Sequence, residues 1–125
     1  MYLHAKQYKV QAENMKVKFA PHNQDAEQYE DLTPGNVYRV IEWIIDSFRV
    51  MDDQGEPILY ASSLFTIVDD RWPDDWVAAY GEDGERYVSP AAFSEPGFFE
   101  RYFDGEKEAI SIFKQRLRQW GTSLE

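Results

Sequence analysis

Alternation of apolar and polar residues with period two dominates the middle of the chain. Phe48 and Val50 alternate with Arg49 and Met51, the pattern of a strand with one buried face. Asp52-Asp53-Gln54-Gly55-Glu56-Pro57 follows with the chemistry of a turn. The aspartates can accept hydrogen bonds from nearby backbone, Gly55 can take a positive φ, and Pro57 cannot donate to an interior ladder. Ile58-Leu59-Tyr60 returns as a strand. Ala61-Ser62-Ser63 is too small and polar to extend it, so a one-turn helical step is predicted there. Phe65-Thr66-Ile67-Val68, β-branched and aromatic, then suits a further strand.

Upstream, Met15, Val17 and Phe19 alternate with Lys16 and Lys18, which predicts a half-buried strand reaching Ala20. Residues 21–31 are polar and acidic with no sustained period, so a long loop is expected, anchored by Tyr29. Pro34-Gly35 fits the two central positions of a type II turn. Val37 to Trp43 reads as another strand, with Val37, Arg39 and Ile41 on one face and Tyr38, Val40 and Glu42 on the other. Ile44 to Ser47 turns the chain into the central hairpin. Met1 to Val10 has mixed polarity and fits either a short strand or an arm, and residues 1–14 acquire no role.

Downstream, Asp69 to Asp75 is an acidic connector in which Pro73 forbids a helix and Trp72 is expected to pin the chain. Trp76–Tyr80 and Arg86–Ser89 flank Gly81-Glu82-Asp83-Gly84-Glu85, a hairpin signal. Ser94 is placed as an N-cap with Pro96 in the first turn, and Phe98, Phe99, Tyr102 and Phe103 share one face of a short helix. Glu106 to Trp120 predicts the last helix, with Ile110, Phe113, Leu117 and Trp120 on one stripe. Its acids fall early and Lys114, Arg116 and Arg118 late, as the helix dipole favours, and Gly121 sits at its stop.

The fold class that follows is α+β, a single domain over residues 1–125. Across 15–69, five strands are separated by a long loop, a short loop, a tight hairpin and a helical step. That order resembles the Src-homology-3-like small barrel, so residues 15–69 are expected to form a five-stranded barrel. Residues 70–125 then add a β-hairpin and two C-terminal helices packed on it. The resemblance implies peptide binding, but the aromatic-lined groove for proline-rich ligands needs paired aromatics in the long loop. Only Tyr29 stands there, so that mode is not carried over.

Composition narrows the class. A chain of 125 residues can bury roughly two thirds of its unfolded surface. With 16% aromatic residues, Phe, Tyr and Trp must supply much of the core. Cysteine is absent, which removes disulfides, thiolate metal sites and thiol nucleophiles. No apolar run is long enough for a membrane helix, and Met1 to Val10 lacks the apolar core of a secretory leader, so a cytoplasmic setting is expected. The net charge of −10 is unevenly placed: residues 1–20 carry +3 and 109–125 carry +2, which leaves −15 between them. Such a surface disfavours nucleic acid and anionic lipid, both of which need clustered Lys and Arg. It serves solubility alone, or it faces a basic partner.

Catalytic and metal chemistry finds little support. The acidic turns at 52–56 and 81–85 lack the alternating acids, central glycine and distant glutamate of a calcium loop. His4 and His22 do not make a zinc site. Asp69-Asp70 and Asp74-Asp75 flank Trp72, but a raised carboxyl pKa needs burial, and this connector is expected to be wet. Neither histidine lies near a glycine-flanked serine, and no glycine-rich phosphate loop precedes a helix. The expectation is a protein that is not an enzyme and needs no metal or cofactor; an enzyme of unrecognised type is the third reading.

The segments RVMDDQGEPILY, SLFTIVD, DWVAAYGEDGERY and GFFERYFDG resemble a small family of acidic bacterial cytoplasmic proteins, some of which are similar to immunity proteins that neutralise a toxin. That resemblance implies a binding protein for a basic toxin domain, for example a nuclease effector; the alternative is a housekeeping interaction module or assembly factor. Loop acids are the candidate contacts: Asp52, Asp53, Glu56, Asp69, Asp70, Asp74, Asp75, Glu82, Asp83 and Glu85. Trp72 is the candidate aromatic anchor.

Overall fold

The computed structural model describes residues 14–21 and 27–120. His4, His22, Lys6, Lys9, Gly121 and the side chain of Trp120 lie outside the described residues. In chain order the elements are β1 (Lys16–Phe19), β2 (Val37–Ile44), β3 (Ser47–Met51) and β4 (Pro57–Ala61), then a 3-10 turn at Ser62–Leu64 and β5 (Phe65–Asp69). A hairpin of β6 (Trp76–Tyr80) and β7 (Arg86–Pro90) follows, then a 3-10 turn at Ala91–Phe93, α1 (Phe98–Phe103) and α2 (Lys107–Trp120). The fold is α+β. Its strands form one antiparallel sheet in the order β4-β3-β2-β1-β5, with β7 also on β2 and β6 outside β7. The strands at the two ends of that path, β4 and β5, share no ladder among the described residues. The sheet is open, and hydrogen bonding does not close the expected five-stranded barrel.

Strand β2 holds the two halves of the chain together. One of its edges pairs with β3. The other is divided: Val37, Tyr38 and Arg39 pair with β1, while Trp43 and Ile44 pair with Val88 and Tyr87 of β7. A bulge lies between Val40, opposite Val50, and Glu42, opposite Arg49. Ile41 is the extra residue, and a bulge re-aims the side chains beside it. Tyr38 and Val40 accordingly join a first core with Met15, Val17, Phe19, Phe48, Val50, Leu64 and Val88. Ile41 joins a second with Phe93, Phe98, Phe99, Ala109 and Phe113. The expectation that Glu42 shares the face of Tyr38 and Val40 is corrected by this bulge.

Several local readings hold. Gly35 has φ 85° and the Asn36 N–H donates to the Thr33 carbonyl, the geometry of the expected type II turn. Tyr29 anchors the long loop edge-on against Phe19 and Tyr60. Trp72 stacks on Trp76 at 6.2 Å. Others do not. The Ser94 hydroxyl donates to the Ala91 carbonyl and closes the 3-10 turn, so α1 begins after Gly97, at φ 81°, instead of at a Ser94 cap. In α2 the buried line is Ala109, Phe113 and Arg116, with Ile110 and Leu117 only half-buried. Arg116 is inside because its guanidinium makes two hydrogen bonds to the Asp75 carboxylate, 2.9 and 2.8 Å.

The β2–β3 turn contains one strained residue. Ile45 has φ 54°, a region where an L side chain costs about 1–2 kcal/mol, and a β-branched one is least suited to it. Its side chain is 51% exposed and contributes little burial in return. Ile45→Asn is therefore expected to raise stability by roughly 1 kcal/mol, because asparagine tolerates this region. Thermal unfolding monitored by far-UV dichroism checks this; an unchanged or lower midpoint counts against the strain.

Candidate functional site

The second face of the sheet carries a groove of about 850 Å³ between the sheet and the segment around α1. Ile44 of β2, Leu59 of β4, Val77 and Ala79 of β6 and Tyr87 of β7 line it from the sheet. Phe93, Phe98, Phe99 and Phe103 line it from the helical side. Period-two alternation places these sheet residues on one face, and the Glu95-Pro96-Gly97 turn delivers the phenylalanines opposite them.

Two charged residues sit in this apolar wall. Glu42 is 5% exposed, and its Oε2 accepts a hydrogen bond from Arg49 Nε at 2.7 Å. Arg49 is fixed from two further sides. Its Nη1 donates to the Pro57 carbonyl at 2.8 Å, and its guanidinium lies 4.0 Å over the Phe99 ring. Burial pushes the Glu42 carboxyl above its usual range, and the Arg49 hydrogen bond and charge pull it back only in part. Glu42 Oε1 has no hydrogen-bond partner among the described residues, and Glu42 lines the groove. Glu95, Glu100 and Asp104 also line it and are exposed, and Glu95 accepts a hydrogen bond from Arg101 Nη2 at 2.8 Å.

The acids expected to meet a partner divide into two groups. Asp52, 6% exposed, is consumed by its own turn: Oδ1 accepts from the Gln54 and Glu56 N–H groups and Oδ2 from the Tyr60 hydroxyl. Asp53 accepts from Thr33 Oγ1 at 2.6 Å and from the Tyr38 hydroxyl at 2.8 Å, tying the β3–β4 turn to the type II turn. Both tyrosine hydroxyls are pushed upward, chiefly by burial. Asp69 pairs with Arg71 at 2.8 Å and Lys16 at 3.9 Å; the Arg71 hydrogen bonds hold its carboxyl at about 2. Asp75 is spent on Arg116. Glu85 Oε1 accepts the Asp83 N–H at 2.9 Å and rigidifies the β6–β7 turn.

Glu56, Asp70, Asp74, Glu82 and Asp83 remain exposed without an ion pair among the described residues, on three separate loops. Trp72 keeps 38% of its surface exposed beside the connector. Asp69 and Asp70 also border a shallow depression of about 470 Å³ with Ile67 and Val68.

Sequence reasoning missed Glu42, Arg49 and the groove acids. A signal for the pair exists: with the β2–β3 turn at Ile45-Asp46, Ile44 faces Ser47, Trp43 faces Phe48 and Glu42 faces Arg49. Opposite charges at facing positions of a hairpin make a cross-strand pair. Among the described residues no group of three or more His, Asp or Glu is placed to hold a metal ion, and no helix is long and apolar enough to cross a membrane. Comparison with protein-family models, curated proteins and solved structures returned no match.

Proposed function

We propose that this chain is a non-enzymatic acidic binding protein, most specifically an immunity-type inhibitor that neutralises a basic toxin domain, such as a nuclease effector, by covering it. One observation carries this reading. Glu95, Glu100 and Asp104 are exposed at the border of an apolar concavity, and Glu56, Asp70, Asp74, Glu82 and Asp83 stand on loops without an ion pair among the described residues, on a chain of net charge −10. A nuclease active site is built to hold phosphates and therefore presents cations, which such a surface attracts and steers. Trp72, braced on Trp76 and partly exposed, has the character of an interface anchor.

The contact set narrows to Glu56, Asp70, Asp74, Glu82 and Asp83, with Trp72. Asp52, Asp53 and Asp75 belong to the scaffold that presents them. The strand order β5-β1-β2-β3-β4, the long β1–β2 connection and the 3-10 turn before β5 support reading residues 15–69 as a Src-homology-3-like barrel. Its seam between β4 and β5 would be filled by Tyr60 and Phe48 against Phe65.

Recovery of the tagged protein from the cell that makes it, followed by mass spectrometry, tests the function. The expected result is a stoichiometric basic protein whose toxicity disappears on co-expression. A stoichiometric partner that is neither basic nor toxic favours the housekeeping module instead. Against the recovered partner, reversing Asp70, Asp74, Glu82 and Asp83 to lysine together should slow association about tenfold or more at low salt, an effect that added salt removes. Asp75→Lys should instead lower stability, because it removes two hydrogen bonds to the Arg116 guanidinium and sets a second cation beside it. A rate indifferent to salt and to the four reversals would leave the acid to solubility alone.

A further inference from the structure

We infer that the groove between the sheet and α1 is a docking site for a basic amphipathic helix of the protein partner, a proposal that rests on the reading of this chain as a binder of basic proteins. Three features select that occupant. First, the lining is apolar but its margins are open: Leu59, Val77, Tyr87 and Phe103 all stay exposed. A small molecule is held with most of its surface enclosed, whereas a protein segment lies in a groove half-covered. Second, the floor of the groove is a sheet face, with the outermost strands β4 and β6 contributing Leu59 and Val77 at its sides. On a sheet face an occupant meets side chains, and recognition comes from side-chain anchors, as when a helix lays its apolar face into a groove.

Third, the charges complement a cation. Glu100 and Asp104 stand exposed at the margin beside Glu95, which Arg101 engages at 2.8 Å, and Glu42 Oε1 in the wall has no hydrogen-bond partner among the described residues. Arg49, the one cation lining the groove among the described residues, is already held by Glu42, the Pro57 carbonyl and the Phe99 ring. A helix presenting apolar residues at i, i+3, i+4 and i+7 would place them against Leu59, Val77 and Phe103. Its flanking Lys or Arg residues would meet the carboxylates.

The test uses the full chain and two synthetic peptides of leucine and lysine, about 14 residues long, of identical composition. In one, leucine recurs at helical spacing; in the other the order is scrambled so that no apolar face forms. Calorimetry gives affinity and amide chemical-shift changes give location. The expected result is that the patterned peptide binds at least about tenfold more tightly than the scrambled one and shifts the amides of Leu59, Val77, Ala79 and Phe103. Ala79→Arg, at an exposed position in the groove, should abolish that difference while leaving the thermal midpoint in place. A leucine-glutamate peptide of the same pattern should not bind.

Equal binding of the two lysine peptides, or shifts confined to the loops carrying Asp70, Asp74, Glu82 and Asp83, would overturn the groove while sparing the wider reading. Equal binding of the glutamate peptide would remove the charge complementarity and overturn the basic occupant. If neither lysine peptide binds anywhere on so acidic a chain, both the groove and the proposed function fail.

Discussion

Phe113→Ala is expected to remove about 3–5 kcal/mol of folding stability, a large part of what a domain of this size possesses. Phe113 is 1% exposed and its ring meets those of Phe93, Phe99 and Tyr102 at 5.3, 5.8 and 5.0 Å. Alanine leaves a void that rings held by their own neighbours cannot collapse into, and it deletes three aromatic contacts besides the buried area. The loss should also spread beyond α2. Ile41 closes this second core from the sheet side, and it lies in the same strand whose Tyr38 and Val40 belong to the first core. Urea unfolding followed by tryptophan fluorescence and far-UV dichroism should therefore show one shared transition, moved to lower urea. Phe103→Ala, at a ring 48% exposed, should cost under about 1 kcal/mol. Separate transitions for the two probes would show instead that residues 70–125 melt apart from the strands before them.

Much of this architecture was legible because its elements are locally specified. The turn at Asp52–Glu56 forms as its residues suggest: Asp52 accepts the Gln54 and Glu56 N–H groups, and Gly55 has φ 76°. The same residue shows where a reading of charge went astray. Asp52 carries a negative charge in a loop, and the sequence alone cannot tell that Tyr60, eight residues on, will occupy its second oxygen. Asp75 is engaged by Arg116 from 41 residues away, which no local pattern encodes. Strand faces were legible through Ile41, which lies in the second core as its alternation with Tyr38 and Val40 predicts, and failed at Glu42, which the bulge turned to the same side. Period two carries no record of an inserted residue. The groove was illegible for the same reason. Its lining comes from five strands and the α1 segment, and only their assembly brings Val77, Leu59 and Phe103 to one space.

Arg49→Leu should destabilise the fold by about 3–5 kcal/mol at pH 8, because it strands the Glu42 carboxylate in a buried setting. The size of that loss should depend on pH, in a direction fixed by Glu42. Burial already holds its carboxyl above the ordinary range with the guanidinium at 2.7 Å, and removing the guanidinium moves it higher. A group whose value is raised on folding favours the folded state while protonated, and that contribution is lost as pH rises through the folded value. The deficit of the variant should thus be greatest at pH 8 and shrink as acidification neutralises Glu42, approaching its minimum near the ordinary carboxylate value. Rising pH also increases self-repulsion in a chain of net charge −10, so the quantity to follow is the difference from the parent protein at each pH. The double variant Glu42→Gln with Arg49→Leu removes the stranded charge and should recover most of the loss at pH 8, with little pH dependence in its remaining deficit. Urea midpoints measured at intervals from pH 8 to pH 4.5 decide the matter. A deficit that stays constant over this range, and that the second substitution does not relieve, would mean that Arg49 stabilises the fold through its stacking on Phe99 and its hydrogen bond to the Pro57 carbonyl, with its charge contributing nothing.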